Sequence, residues 1–201
     1  MSMPLGITDH YHFILASKSP RRQQLLRDTG LPFRVMEREF DEVCPDNLKG
    51  KDMAEYLAKS KALQISKEEI NNDEILITAD TIVWFKDKVL DKPDGYEEAF
   101  EVLKTISGNT HEVITGICLL SRNGMHTFSE TTKVTFGILS VEDIKYYIKE
   151  YKPYDKAGAY GIQEWIGLIG NSHIDGSYYN VMGLPVHRLL KELSGFIKSK
   201  I

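Results

Sequence analysis

The stretch ILASKSPRRQQLLRDTG, residues 14–30, joins an apolar segment to an amphipathic one through a junction rich in hydroxyls and cations. Its first residues, up to Ala16, are typical of the end of a buried strand. Ser19 is a good N-cap, and Pro20 suits the first helical position because its missing N–H would be unpaired there anyway. Gly30 allows the left-handed backbone that ends many helices. The stretch therefore predicts a buried strand, a turn and a helix in succession.

The junction between this strand and helix favours an anion. Unpaired backbone N–H groups and the positive end of the helix dipole lie where Ser17, Ser19, Arg21 and Arg22 converge. Phosphate is the ligand that this combination suits best. On the local pattern alone, a capped surface helix with two solvated arginines explains the same residues equally well.

Segments typical of strands and helices alternate through the first half of the chain, which predicts an α/β fold. Residues 51–70 carry apolar side chains at helical spacing, whereas residues 74–85 are rich in β-branched and aromatic side chains and predict a strand. That strand continues past a short turn at residues 86–87. Residues 94–108 then predict a helix that is closed by a glycine.

The second half of the chain begins with strands. Residues 111–139 predict strands in antiparallel pairing, joined by a hairpin turn at residues 123–124. A capping box at residues 140–143 opens a helix, and a final helix begins near Pro185. Because no repeat, low-complexity tract or linker interrupts the pattern, residues 1–201 are expected to form a single domain with two lobes. The cleft between lobes is the default position for a site.

The composition narrows the classes of protein to which the chain can belong. With 201 residues and 42% hydrophobic content, the chain can bury a substantial core. Its formal net charge of -4 argues against a general nucleic-acid binder, whose affinity would come from a basic surface, although a local basic pocket stays open. The first residues lack a signal-peptide pattern, and no apolar run is long enough to span a bilayer. A soluble, cytoplasmic protein with no membrane or nucleic-acid partner is therefore expected.

Cys44 and Cys118 are the only cysteines in the sequence. Two cysteines are too few for a disulfide framework, and these two lack the spacing of metal ligands. They are expected to be reduced thiols that pack against neighbouring side chains.

Single polar residues interrupt the apolar pattern at positions that suit catalysis. Asp80, followed by Thr81, lies at the end of an otherwise apolar strand, where parallel strands deliver functional side chains. A capped turn or a pairing with lysine would also explain Asp80. Lys92 follows a strand and precedes a proline, so it either projects into a cleft or faces water. Glu42 lies in a polar stretch, where it binds a metal or faces water.

Two lysines, Lys59 and Lys61, lie on the predicted helix over residues 51–70. Residues two apart on a helix point in different directions. At most one of these lysines is therefore expected to enter a shared pocket.

Glycines concentrate late in the chain, in DKAGAYGIQEWIG (residues 155–167) and GSYYNVMGLP (residues 176–185). Glycines permit close approach of the backbone to a ligand or tight packing between elements. Neither segment is a Walker loop or a dinucleotide fingerprint, because GxxxxGK[ST] and GxGxxG are both absent.

Eight segments, in chain order, resemble the Maf family of nucleoside triphosphate pyrophosphatases. They are LASKSPRR, FDE, LAKSKA, ADTIV, LDKP, SGNTHEVITG, DKAGAYGIQ and GSYYNVMGLP. The first, fourth and seventh are specific in combination, whereas FDE and LDKP alone carry little information. The resemblance implies an α/β fold with a mixed, twisted sheet flanked by helices, in an elongated, two-lobed architecture like that of Maf and ITPase proteins. It also implies a cleft between the lobes and a homodimer.

The same resemblance implies hydrolysis of a nucleoside triphosphate to its monophosphate and pyrophosphate, with clearing of non-canonical nucleotides as a further role. Asp80 is implied as the proton acceptor that activates water, and Glu42 with Asp80 as the ligands of a divalent cation, Mg²⁺ or Mn²⁺. The sequence does not separate these two roles of Asp80. The residues implied to bind phosphate are Ser17, Ser19, Arg21, Arg22, Lys61 and Lys92.

Three positions resemble the branch of the family that acts on dTTP and UTP, namely Arg21, Thr81 and Gln163. The branch that handles 7-methyl-GTP carries a bulky apolar residue, Gln and Glu there, and it is the alternative. An amide such as Gln163 offers a donor and an acceptor, which match the alternating carbonyl and N–H edge of uracil and thymine. The chain departs from the common GIQG pattern, because Glu164 and Trp165 follow the glutamine.

Two functions of other classes remain alternatives. The first is a regulator of septum formation that binds a nucleotide without significant turnover. The second is a nucleic-acid-binding module, in which the Arg21–Arg22 turn would contact phosphate and Tyr178–Tyr179 would stack on bases.

Overall fold

A computed structural model describes residues 11–198 of the chain. The strands are β1 (His12–Leu15), β2 (Phe33–Val35), β3 (Glu74–Phe85), β4 (Lys88–Val89), β5 (Thr110–Ser121), β6 (Gly124–Phe136) and β7 (Asn171–Asp175). The helices are α1 (Pro20–Asp28), α2 (Gly50–Leu63), α3 (Tyr96–Ile106), α4 (Val141–Tyr151), α5 (Trp165–Gly170), α6 (Tyr178–Val181) and α7 (Val186–Lys198). Short 3-10 helices lie at Lys67–Glu69, Pro153–Asp155 and Ala157–Ala159.

The strands form one seven-stranded sheet in the order β2-β1-β3-β5-β6-β7, with β4 paired to β3. β1 pairs in parallel with β2 and β3, so that Leu15 is in register with both Val35 and Ile77. By contrast, β3 pairs with β4, and β6 with β7, in the antiparallel sense. The predicted α/β fold, a mixed sheet flanked by helices, is confirmed.

The chain divides into two compact units. Within the described residues, the first unit comprises residues 11–80, Thr115–Glu130 and residues 183–198. The second unit comprises Thr81–Ile114 and Thr131–Met182. Among the described helices, none is both long and apolar enough to cross a membrane.

The junction that opened the sequence folds as its residues predict. The side chain of Ser19 accepts a hydrogen bond from the backbone N–H of Arg22, and Pro20 begins α1. Leu25 and Leu26 are the buried residues of this helix. Gly30 follows the helix with a φ of +75°, a left-handed conformation that glycine adopts without strain.

Helix α2 packs on the sheet of the first unit through small residues. A Cβ at Gly116 of β5 would lie 2.1 Å from the backbone oxygen of Ala54, so only glycine fits beneath the helix there. The Thr78 hydroxyl of β3 donates a hydrogen bond of 2.6 Å to the backbone oxygen of Ala58. The helix and the sheet therefore meet almost backbone to backbone. The buried core around this contact consists of Ile14, Ala16, Ala58, Ala62, Ile65, Ile70, Leu76, Cys118 and Leu120.

The helix predicted over residues 51–70 is shorter than expected. α2 ends at Leu63, and a separate 3-10 helix at Lys67–Glu69 follows, opened by a reciprocal capping box between Ser66 and Glu69. Ser66 caps a new helix start, which is incompatible with continuing the old helix through it. Tyr56 and Leu63, two of the apolar residues whose helical spacing predicted the longer helix, are exposed.

The second unit has its own core, to which α3, α4 and strands β5 and β6 contribute. Gly108, with a φ of +66°, follows α3 as the sequence predicts. Ser140 and Asp143 form the predicted capping box at the start of α4. His111 is buried, and its Nε2 shares a hydrogen bond of 2.7 Å with the hydroxyl of Tyr160. Burial lowers the pKa of His111 to about 4, so this ring is neutral at pH 7.

Both cysteines are free thiols, as predicted. Cys118 is fully buried in the core of the first unit, and burial raises the pKa of its thiol to about 11. Cys44 is only partly buried.

Candidate active site

A buried lysine binds two carboxylates in the first unit. Lys61 donates a hydrogen bond to Oδ1 of Asp80, and its Nζ lies 2.6 Å from Oε1 of Glu42. The side chains of Lys61 and Asp80 are 9% and 12% exposed, whereas that of Glu42 is 46% exposed. The cluster therefore has an interior part and a face that is open to water.

Helical geometry explains why Lys61 rather than Lys59 belongs to this cluster. Lys61 lies on the buried face of α2 together with Ala54, Leu57 and Ala58, one and two turns before it. Lys59 is exposed. The prediction that at most one of the two lysines enters a shared site is confirmed.

Asp80 lies within a strand rather than at its end, which corrects the position expected from the sequence. Strand β3 continues for five residues beyond Asp80, to Phe85. Its last residues, Trp84 and Phe85, pair in the antiparallel sense with β4. The parallel pairing with β1, however, stops at Ile77. Asp80 therefore still lies just beyond the carboxyl end of the parallel part of the sheet, where functional side chains are usual.

The two serines of the junction are engaged in local capping. Oγ of Ser17 accepts a hydrogen bond of 3.2 Å from the backbone N–H of Ser19, and Ser17 is buried. Oγ of Ser19 accepts a bond of 3.4 Å from the backbone N–H of Arg22. A hydroxyl that accepts can also donate. Both serines therefore keep a proton with which to bind an anion.

The two adjacent arginines have different environments. Arg22 is partly buried, and its Nε and Nη1 each donate a hydrogen bond of 2.8 Å, to the backbone oxygens of Gly183 and Ala79 respectively. Burial lowers the pKa of Arg22, and the nearby charge of Asp80 opposes this shift. The guanidinium thus anchors the backbone next to Asp80. Arg21 is partly exposed.

Three of the predicted site residues belong to the second unit. Thr81 is partly buried and follows Asp80 in β3, whereas Lys92 is exposed after β4. Gln163 is exposed at a turn that precedes α5. Tyr178 and Tyr179, the alternative stacking platform, have ring planes at 78° to each other and so do not offer two parallel faces.

Beside Gln163 lies a polar cluster that the sequence only partly revealed. Glu164 accepts a hydrogen bond from the hydroxyl of Tyr147, and its Oε1 lies 3.3 Å from Nζ of Lys156. Glu164 stood out as a departure from the GIQG pattern. Tyr147 had no such signal, because a tyrosine on the apolar face of a helix is also what core packing requires.

Asp80 and Glu42, the two carboxylates around Lys61, supply the oxygen ligands that a hard divalent cation prefers. One oxygen atom of each carboxylate contacts the ammonium of Lys61, so the two carboxylates lie close to one point, which that ammonium occupies. Within residues 11–198 there is no group of three or more His, Cys, Asp and Glu side chains that could form a metal cage. Mg²⁺ commonly binds through one or two carboxylates together with water and substrate phosphate, and two carboxylates meet that need.

Comparison of the sequence with models of known protein families finds one family that covers the whole candidate site. The family described as Maf-like protein matches residues 12–196. The chain belongs to the Maf family. The match covers almost all of the described chain, including every predicted site residue, and the family resemblance inferred from the motifs is confirmed.

Curated relatives of this Maf chain align over nearly their whole length. A protein of Phocaeicola vulgatus is 50% identical over 186 residues, which cover 92% of this chain and 96% of the relative. One from Bacteroides thetaiotaomicron is 47% identical over 190 residues, covering 94% and 98% respectively. One from Flavobacterium psychrophilum is 48% identical over 176 residues, covering 88% and 90%. Each of these three relatives is named dTTP/UTP pyrophosphatase.

Proposed function

We propose that this chain is a nucleoside triphosphate pyrophosphatase that hydrolyses dTTP and UTP to the nucleoside monophosphate and pyrophosphate. The observation that carries the proposal is the buried Lys61 held between Asp80 and Glu42, in a chain whose relatives share the name dTTP/UTP pyrophosphatase. The branch inferred from the sequence agrees with that name.

Phosphate binding is assigned to the junction before α1 and to four cationic side chains. The hydroxyls of Ser17 and Ser19 and the N-terminal N–H groups of α1 suit phosphoryl oxygens. Arg21, Lys61 and Lys92 supply positive charge against the triphosphate. Arg22 also contributes positive charge. Because its Nε and Nη1 donate to the backbone oxygens of Gly183 and Ala79, it also holds the backbone next to Asp80 in place.

Asp80 is assigned the chemical step. Its carboxylate takes a proton from a water molecule as that water attacks the α-phosphorus, the bond from the α-phosphorus to the bridging oxygen breaks, and pyrophosphate leaves. Lys61 orients the carboxylate through the hydrogen bond that it donates. Because the side chain of Asp80 is only 12% exposed, bulk water competes little for it.

A divalent cation, Mg²⁺ or Mn²⁺, is assigned to Glu42 and Asp80. When bound, such a cation neutralises charge on phosphate oxygens and makes the phosphorus easier to attack. The carboxylate of Glu42 is half exposed, so it is accessible to a metal ion that enters the site bound to the nucleoside triphosphate.

Base selection is assigned to Arg21, Thr81 and Gln163. The amide of Gln163 is exposed and carries the donor and acceptor that the edge of uracil or thymine requires. A base that leaves such groups unpaired is rejected strongly where the bound base shields them from water. We further infer a cytoplasmic homodimer from the family resemblance, and light scattering after size-exclusion chromatography tests the dimer.

The test is turnover of dTTP, UTP, CTP, ATP, GTP and 7-methyl-GTP, with and without Mg²⁺. We expect kcat/KM to be highest for dTTP and UTP, and orthophosphate to appear only after inorganic pyrophosphatase is added. Direct release of orthophosphate with a diphosphate product would contradict the bond assignment. Faster hydrolysis of 7-methyl-GTP would assign the chain to the other branch, and tight binding of nucleotide without turnover would favour a regulator.

A further inference from the structure

The glutamine assigned to base selection lies in a tight turn of four residues. The backbone N–H of Glu164 donates a hydrogen bond of 3.0 Å to the carbonyl of Gly161, which closes the turn. Between them, Ile162 is buried and Gln163 is exposed. The buried isoleucine anchors one side of the turn, so the amide of Gln163 is carried on the other.

One hydroxyl group holds both ends of this turn. The hydroxyl of Tyr147, on α4, accepts a hydrogen bond of 3.0 Å from the backbone N–H of Gly161 and donates one to the carboxylate of Glu164. Tyr147 is fully buried, and burial together with Glu164 raises the pKa of the phenol. The hydroxyl therefore stays protonated, as its role as donor requires.

The carboxylate of Glu164 is itself fixed by further contacts. It lies 3.3 Å from Nζ of Lys156, whose side chain is 9% exposed and which also lies 2.7 Å from Asp155. A Cβ at position 161 would lie 2.6 Å from Cδ of Glu164, so Gly161 leaves room for that carboxylate. The backbone oxygen of Glu164 in turn accepts hydrogen bonds from the first turn of α5.

We propose that Tyr147 and Glu164 are positioning residues for substrate selection: they clamp the turn of residues 161–164 so that the Gln163 amide meets the pyrimidine edge of the substrate. This inference rests on the proposed function, in which Gln163 contacts the base. The physical reason is preorganisation. An amide on a loose turn must be ordered when the substrate binds, and the entropy cost of that ordering weakens binding. The clamp acts on binding of the base and leaves the phosphate chemistry to other residues.

The test is the KM for dTTP in Tyr147→Phe and Glu164→Ala, each made alone and in a Gln163→Ala background. We expect each single variant to raise KM by about 3- to 10-fold, the usual effect of one hydrogen bond, with a smaller change in kcat. In the Gln163→Ala background the same substitutions should leave KM nearly unchanged, because the side chain that they position is gone. A loss of folded protein would lower the apparent kcat but not shift KM.

Two controls keep the outcome decisive. Tyr151→Phe removes a hydroxyl one helical turn along α4, from an exposed side chain, and should leave KM as in the parent. Glu164→Ala is expected to fold even if Tyr147→Phe does not, because Glu164 is partly exposed and Lys156 keeps Asp155 as its partner. An unchanged KM in Glu164→Ala, or an equal rise with and without Gln163, would overturn the inference. Absence of dTTP hydrolysis by the parent protein would instead overturn the proposed function.

Discussion

Lys61 and Asp80 form an ion pair in the interior of the first unit, and this pair joins helix α2 to strand β3. Lys61 has a second carboxylate partner in Glu42, which is open to water. The ammonium therefore remains compensated when Asp80 loses its charge, whereas both carboxylates are left together when the ammonium is removed. The two substitutions should consequently have different effects on stability.

Asp80→Asn should abolish most activity while the protein stays folded. The variant keeps the shape of the side chain but cannot take a proton, which typically reduces turnover by about 100- to 10,000-fold. Steady-state turnover of dTTP, with a thermal melt of the same sample, measures both properties. Near-normal turnover by the folded variant would contradict the catalytic assignment of Asp80.

Lys61→Met should lower both stability and activity. Removing one partner of a buried ion pair leaves uncompensated charge, and the expected loss is about 3 kcal/mol, the lower end of the usual range because Glu42 is half exposed. Turnover should fall by at least about 100-fold, because Asp80 loses the donor that orients it. Lys59→Met, two residues away on the exposed face of α2, is the matched control for urea denaturation and turnover. Equal effects of the two substitutions would contradict the assignment.

Gly116→Ala should be strongly destabilising, because its new methyl group would lie 2.1 Å from the backbone oxygen of Ala54 and backbone cannot move aside cheaply. We expect a loss of roughly 1–3 kcal/mol or more, as for other overpacked sites. Gly195→Ala is the matched control, because a Cβ there meets nothing within 4 Å and alanine favours helix α7. In chemical denaturation, the free energy of unfolding should be lower in Gly116→Ala and higher in Gly195→Ala than in the parent protein.

Stability should fall with acid partly because of His111. Burial lowers its pKa to about 4 from 6.5, so between these pH values the unfolded chain binds the proton and the folded chain does not. Stability therefore rises with pH through this window. The contribution lost between pH 7 and pH 5 is on the order of 2 kcal/mol.

His111→Gln should consequently flatten the dependence of unfolding free energy on pH between 7 and 5. Urea denaturation at pH 7 and at pH 5 measures the difference in unfolding free energy between the two pH values. A change of stability that is equal at both pH values does not affect this difference. A substitution of His173, an exposed histidine of β7, controls for the loss of a histidine in general. The same slope in His111→Gln and the parent would show that His111 titrates normally.

Native thiol labelling should modify Cys44 and spare Cys118. Cys118 is fully buried, and burial raises its pKa to about 11, so little reactive thiolate exists at pH 8. Iodoacetamide followed by mass spectrometry should find one label per chain before unfolding and two afterwards. Rapid modification of Cys118 in the folded protein would indicate that the core opens locally.

Sequence patterns predicted those elements whose ends carry a chemical signal. Ser19 and Gly30 bound α1, and Ser140 opens α4, because capping residues act locally and do not depend on the rest of the fold. The end of α2 was missed although Ser66 and Glu69 carry the capping signal of a new helix start, because the apolar residues on both sides of Ser66 were joined into one helix. The buried face of α2 is built mainly of alanines, and the apolar pattern drawn through Tyr56 and Leu63 therefore followed the wrong face.

The candidate site was predictable as a set of residues but not as a set of contacts. Asp80 and Lys61 each lie in a family motif, yet their ion pair joins different elements and depends on how closely α2 approaches the sheet. Arg22 was expected to bind phosphate, and nothing in the local sequence shows that its guanidinium also holds two backbone carbonyls. Contacts of this kind depend on tertiary packing.

The hydrogen bond from Arg22 to Gly183 joins residues 161 positions apart and has a consequence for synthesis of the protein. The first unit draws on residues 11–80, Thr115–Glu130 and residues 183–198, so a nascent chain holds an incomplete unit until residues 183–198 have left the ribosome. Asp80 is made about 100 residues before Gly183, yet the anchor beside that carboxylate is completed only when Gly183 is present. Chains terminated before Gly183 would therefore lack this anchor and would not hold a complete first unit.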